Sequence, residues 1–156
     1  MMNPCRSIFL MLMLMLLSVS VQAATYPVDD RGTNVHQPIV RTKWLSNVPT
    51  RHANSAITGV VVVDVQLDTS DWKGKPGKIY MLLAPASASG PIQASWTTQS
   101  EVLLPGNLES GQRVLVYDGA IESDQLRDTL TMTLRADGNR VLRPEIINFT
   151  FEIDIP

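Results

Sequence analysis

Two stretches of this sequence alternate so strictly that little choice of secondary structure is left to them. In Ile57–Leu67 (ITGVVVVDVQL), Ile57, Gly59, Val61, Val63, Val65 and Leu67 alternate with Thr58, Val60, Val62, Asp64 and Gln66. In Leu126–Arg135 (LRDTLTMTLR), Leu126, Asp128, Leu130, Met132 and Leu134 alternate with Arg127, Thr129, Thr131, Thr133 and Arg135. A period of two belongs to a β-strand, whose successive side chains point to opposite faces. A helix would scatter Asp64 and Gln66 among valines without a polar stripe, and consecutive β-branched residues lose rotamer freedom in a helix. Both stretches are predicted strands, and Val60 and Val62 predict partial cover on the second face of the first.

Shorter runs carry the same signature. Lys78–Leu83 (KIYMLL) reads as a core strand, and Ile92–Thr98 as a strand with Ile92, Ala94 and Trp96 on one face. Glu101–Leu104 and Gln112–Tyr117 add two more. Ile146–Ile155 (IINFTFEIDI) places Ile147, Phe149, Phe151, Ile153 and Ile155 inward and Asn148, Thr150, Glu152 and Asp154 outward. Asp71–Gly77, Ala84–Pro91, Pro105–Asn107 and Ser110-Gly111 read as turns and loops. Ala136-Asp137-Gly138-Asn139 carries an Asp-Gly hairpin signal, with a return strand starting at Arg140 and interrupted by Pro144. The only helical signal is one turn at Glu122–Arg127. Such a pattern predicts an all-β fold, an immunoglobulin-like antiparallel β-sandwich of about seven strands. Strand parity puts Val61, Val63, Val65, Leu130, Met132, Leu134, Phe149, Phe151 and Ile153 between its sheets.

Met1–Ala23 reads as a segment removed before folding. Arg6 precedes the apolar run Ile8–Leu17 (IFLMLMLMLL), and small residues surround Val21-Gln22-Ala23. This is the pattern of a secretory signal peptide cleaved after Ala23. A membrane-spanning helix needs about 20 apolar residues, so the run is too short for an anchor and no membrane insertion of the mature chain is expected. The expected organisation is a signal peptide at 1–23, an extended N-terminal segment at 24–50 broken by Pro27, Pro38 and Pro49, and a sandwich at 51–156. Cys5, the single cysteine, precedes the apolar run, so the exported domain must be held by its core alone. The periplasm, a fimbrium or the cell surface is the expected location.

Chemistry is sparse. With 13 Lys+Arg against 15 Asp+Glu and a net charge of −2, the chain lacks the basic surplus of a nucleic-acid binder. His36 and His52 have no second ligand at metal-binding spacing. Asp64, Asp68 and Asp71 do not follow the spacing of a calcium loop. Neither a G-x-S-x-G nucleophile turn nor a phosphate-cradling glycine motif occurs. The reading is therefore of a protein that is not an enzyme, with no catalytic residue, metal or cofactor. Among the tryptophans, Trp96 shares parity with the core, whereas Trp72, in a turn of Lys, Gly and Pro, is the expected exposed aromatic contact.

Several features together resemble the subunits of Gram-negative fimbriae assembled by the chaperone–usher route. They are the short signal ending Val21-Gln22-Ala23, the cysteine-free remainder of pilin size, the threonine-alternating strand Thr129–Leu134, and the strand Phe149–Ile155. The resemblance implies an immunoglobulin sandwich that lacks a strand and is completed by a strand of a neighbouring chain. Its implied partners are other fimbrial subunits and a periplasmic chaperone or usher. The partner strand would add along Ile147, Phe149, Phe151, Ile153 and Ile155. The ending Asp154-Ile155-Pro156 and the broken alternation of residues 24–40 suit an accessory component better than a major pilin. Alternatively, an early segment such as Val35–Leu45 covers that edge, and the chain is a self-complete binding module for sugar, protein or envelope polymer.

Overall fold

The structure, a computed structural model, describes residues 24–37, 39–45, 55–85, 90–140 and 147–156. The strands in chain order are β1 (Ala24–Pro27), β2 (Asn34–Val35), β3 (Lys43–Trp44), β4 (Ala56–Asp68), β5 (Pro76–Leu83), β6 (Gln93–Thr98), β7 (Gly106–Glu109), β8 (Arg113–Ala120), β9 (Gln125–Asp137) and β10 (Phe149–Ile155). The signal segment expected at 1–23 and His52 lie outside the described residues.

β4 and β9, each 13 residues long, pair antiparallel from Ala56 opposite Asp137 to Asp68 opposite Gln125. They form the middle of a six-stranded sheet of order β2-β4-β9-β6-β7, in which β3 also pairs with β4. The second sheet has four strands in the order β1-β10-β5-β8. All pairings are antiparallel, so the fold is the all-β two-sheet sandwich that the alternation implies. The core lies between the sheets: Val61, Val63, Val65, Leu130, Met132, Leu134, Phe151 and Ile153 are buried, and half-buried Phe149 packs against them.

Three local features add to or depart from the expectations. First, the described residues of the expected extended segment, 24–37 and 39–45, contribute strands to both sheets. β1 belongs to the four-stranded sheet, β2 and β3 belong to the six-stranded one, and Val28 is buried between them. Val40, half-buried, packs against the core and occupies the space that a side chain at Gly59 would fill.

Second, Glu101–Leu104 is not a strand; β7 begins after it. The cause is Asp128, which β9 parity turns inward and which is 4% exposed. Its Oδ1 accepts the backbone N–H groups of Gln99 (3.2 Å), Ser100 (2.9 Å) and Thr129 (2.8 Å). Its Oδ2 accepts those of Val102 and Leu103, both at 2.9 Å. The amides of Val102 and Leu103, committed to the carboxylate, are not available to a ladder, and Glu101 takes a left-handed φ of 55° to let the chain wrap.

Third, the Asp-Gly sequence does not adopt the type I′ turn. A two-residue type I′ turn needs positive φ at both central residues, and neither Asp137 nor Gly138 has it. Instead Gly138 N–H donates to Ser55 O at 2.8 Å, and β10 joins the other sheet rather than pairing with β9. Within the expected return strand, Arg140 lies in a turn and the rest falls outside the described residues.

Two stability outcomes follow. Phe151→Ala should cost about 3–5 kcal/mol in urea denaturation, as truncation of a large core aromatic does; less than about 1 kcal/mol would contradict its core placement. For Asp128, burial alone would raise the carboxyl, but the backbone N–H groups of Leu103, Ser100, Thr129 and Val102 hold it below its ordinary 3.8. A carboxyl depressed in the folded state stabilises above its unfolded value, and that contribution is lost as pH falls through the folded value. Asp128→Asn should therefore destabilise at pH 7, and the gap to the parent should shrink in denaturation curves taken below about pH 4.

Candidate functional site

β10 is covered unequally on its two sides. β5 pairs with it from Phe149 to Asp154, whereas β1 pairs with it only from Glu152 to Ile155. Val28 extends the β1 side by one bond, its N–H donating to Phe151 O at 2.9 Å. There the chain departs: Asp29 bridges to Asp68, and β2 pairs with Val63 and Asp64 in the other sheet.

Alternate residues of a strand direct their backbone groups to opposite sides. Asn148 O accepts from Ala84 N–H on the β5 side, and Phe151 O accepts on the β1 side. Phe149 therefore presents its N–H and C=O to the side that β1 has already left. Among the described residues, no strand pairs with Phe149 and Thr150 there.

Beside this edge a cleft of about 240 Å³ opens between the sheets. Val63, Val65, Leu130 and Met132 from the six-stranded sheet and Phe149 and Phe151 from β10 form its apolar walls. Asp30, Thr33 and Val35 close it on the β2 side.

The structure thus divides the five residues expected along a partner-strand edge. Ile153 and Ile155 lie on the stretch already paired with β1, fully buried and half-buried respectively. Phe151 marks the end of that cover, while Phe149 and Ile147 line the open cleft. The covering strand is Ala24–Pro27, not Val35–Leu45, whose strands pair with β4. Polar contacts on the outer face select it. Thr25 Oγ1 donates to Asp154 Oδ1 at 2.6 Å, and Arg113 Nη2 donates to the same oxygen at 2.7 Å. The Arg113 guanidinium also pairs with Glu152 at 3.2 Å and lies 3.6 Å over the Tyr80 ring. Hydrogen bonds from Arg113 and then Thr25 hold the Asp154 carboxyl below its usual range.

Trp72 is not the exposed contact expected of it. It follows β4 in a single 3-10 turn, Ser70–Trp72, is half-buried against the core, and meets the Tyr26 ring at a centroid distance of 6.2 Å. The exposed tryptophan is Trp44 on β3, at 46%. Trp96 is core, its Nε1–H donating to Leu104 O at 3.0 Å.

One cluster escaped the sequence reading. His36 Nε2 lies 2.5 Å from Asp64 Oδ2, and Thr129 Oγ1 donates to Asp64 Oδ1 at 2.8 Å. The carboxylate sits between the other two groups, so this is not a nucleophile–base relay, in which the histidine stands in the middle. Hydrogen bonds from His36 and then Thr129 hold Asp64 below its ordinary value. The signal was present only in the register that puts both Asn34 and Thr129 opposite Asp64. A second, wider concavity, lined by Asp68, Ser70, Ser123, Asp124, Gln125 and Arg127, is polar and open. Among the described residues no group of His, Cys, Asp or Glu has the arrangement to hold a metal ion.

No protein-family model matches the chain, and no curated protein matches its sequence. The site must be read from its own geometry.

Because Asp154 ties β1 to the sheet, Asp154→Ala should free β1 without loosening the core. Amide exchange at Val28 should rise roughly tenfold, the loss expected for one charge-assisted hydrogen bond. Exchange in the middle of β4 and β9 should stay unchanged. Equal acceleration in both places would show that β1 is not an independent unit.

Proposed function

We propose that this chain is an exported structural or adhesion-type subunit, an accessory component of a fimbria, that works by strand-mediated assembly with other chains. The observation that carries this reading is the combination at β10 of an edge at Phe149 that no strand pairs among the described residues with an apolar cleft running beside it. A strand edge offers ready-made hydrogen bonds to another backbone, and a neighbouring apolar cleft supplies side-chain selectivity. The two together suit an extended segment of another chain, such as a fellow subunit or a periplasmic chaperone. The function needs no catalytic group or cofactor. The apolar leader at 1–23 accords with export to the periplasm, fimbrium or cell surface.

A second reading is favoured by a different observation. β1 covers four residues of β10 within the same chain, which suits a self-complete periplasmic or secreted module that binds sugar, protein or envelope polymer.

Purified residues 24–156 distinguish the two in sedimentation velocity and thermal unfolding. The assembly reading expects concentration-dependent association. It also expects removal of residues 24–27 to accelerate association and an added peptide of sequence Ala-Thr-Tyr-Pro-Val to suppress it. A monodisperse monomer that melts reversibly and never associates, with or without β1, would reject assembly in favour of the binding module.

A further inference from the structure

Between Val28 and β2 the chain crosses from one sheet to the other, and this crossing forms one wall of the cleft. We infer that residues 29–36 are a strap closing the cleft, and that His36 is its latch. The inference rests on the strand-docking reading of the cleft and adds what controls access to it.

The strap is held differently from the rest of the sandwich. Val28 ahead of it is buried, whereas every described residue from Asp29 to Gln37 is exposed or half-exposed. Its hold on β4 is polar. Thr33 Oγ1 accepts Gln66 N–H at 3.1 Å, and His36 N–H donates to Val62 O at 3.0 Å. Thr33 Oγ1 also donates to Gln66 O at 3.4 Å, Asp68 N–H donates to Asp29 O at 2.9 Å, and Asn34 and Val35 pair with Asp64 and Val63. At the far end of the strap His36 Nε2 meets Asp64 Oδ2. Arg31 does not add to it: its guanidinium is 89% exposed and pairs with Asp29, stiffening the strap within itself. Thr129 contributes from β9 by engaging the other oxygen of Asp64, which fixes the carboxylate with Oδ2 toward His36.

Exposed polar ties of this kind are individually weak, because water competes for both partners. A segment held by them opens at a small fraction of the free energy of global unfolding. The walls behind the strap are the opposite, since Val63, Val65, Leu130 and Met132 are all buried core. Freeing the strap therefore uncovers apolar surface while the sandwich remains folded, and losing the histidine tie weakens its hold. A partner strand extending past Phe149 meets Thr33 and Val35 as the obstacle, and the His36–Asp64 tie decides how often that obstacle moves.

Thiol labelling of single-cysteine variants tests this directly, because residues 24–156 contain no cysteine. Val63→Cys reports the cleft. Val116→Cys, on β8 at the far edge of the four-stranded sheet and fully buried, reports global unfolding. Adding His36→Ala should speed labelling at the Val63→Cys position about tenfold and leave the Val116→Cys position unchanged. His36→Gln, which keeps an N–H donor for Asp64, should restore slow labelling. Should either cysteine variant fail to fold, exchange of the backbone amide at residue 36 in the cysteine-free chain gives the same comparison. Unchanged labelling at Val63→Cys, or equal acceleration at both positions, would overturn the latch. No partner strand takes part, so failure here leaves the assembly reading to its own sedimentation test.

Discussion

The full-length pairing of β4 with β9 is the constraint on which the rest of this molecule depends. It sets Val61 opposite Met132 and Val63 opposite Leu130, so that both strands turn their apolar sets to the same face. A slip of one residue would turn all of them to water, and burial of that face makes the register unambiguous. The same parity drives Asp128 inward. A carboxylate cannot stay charged in a core without compensation. The chain supplies it by folding the segment after β6 around Asp128, which accepts five backbone N–H groups. One polar residue in an apolar period thus determines where β6 ends and why β7 starts only at Gly106.

The opposite sheet has no comparable pairing, and its weakest place is the outer side of β10. β1 is four exposed residues, tied down by Thr25 and Asp154 and by Tyr26 leaning on Trp72. Unpaired strand edges invite another chain, and proteins usually blunt them with charge or cover. Here Glu152 and Asp154, with Arg113 across them, guard the covered half. The open half at Phe149 and Thr150 carries no charged residue. The strap departs from β10 at Val28 and is anchored on the other sheet, leaving this half of the edge without a paired strand among the described residues.

Periodicity revealed the elements that bury an alternating face over many residues: β4, β9, β5, β8 and β10, along with the inward residues from Val61 to Ile153. Asp128 also lay in the inward row of the sequence, but its role depends on amides 25 to 29 residues away, beyond any local pattern. Val102-Leu103-Leu104 looks like a strand by composition and is a loop because of that capture. β1, β2 and β3 are between two and four residues long and lie among prolines and glycines, too short to show a period. Their positions come from long-range contacts, as do the join of His36 to Asp64 and the burial of Trp72 against Tyr26. The part of the candidate edge that was legible is the alternation of β10; that its lower half is already occupied by residues 24–27 was not.

The central claim is that the open edge of β10 accepts a strand from another chain. Amide exchange at Phe149 tests it most directly, measured by NMR in dilute protein and by exchange-quench in associated material. Phe149 N–H faces away from β5 and beyond the end of β1, so the account expects rapid exchange in the monomer and strong protection after association. Amides of β10 already bonded to β5, such as that of Thr150, should not change. A Phe149 amide protected in the dilute monomer, or one still exchanging freely after association, would contradict the account.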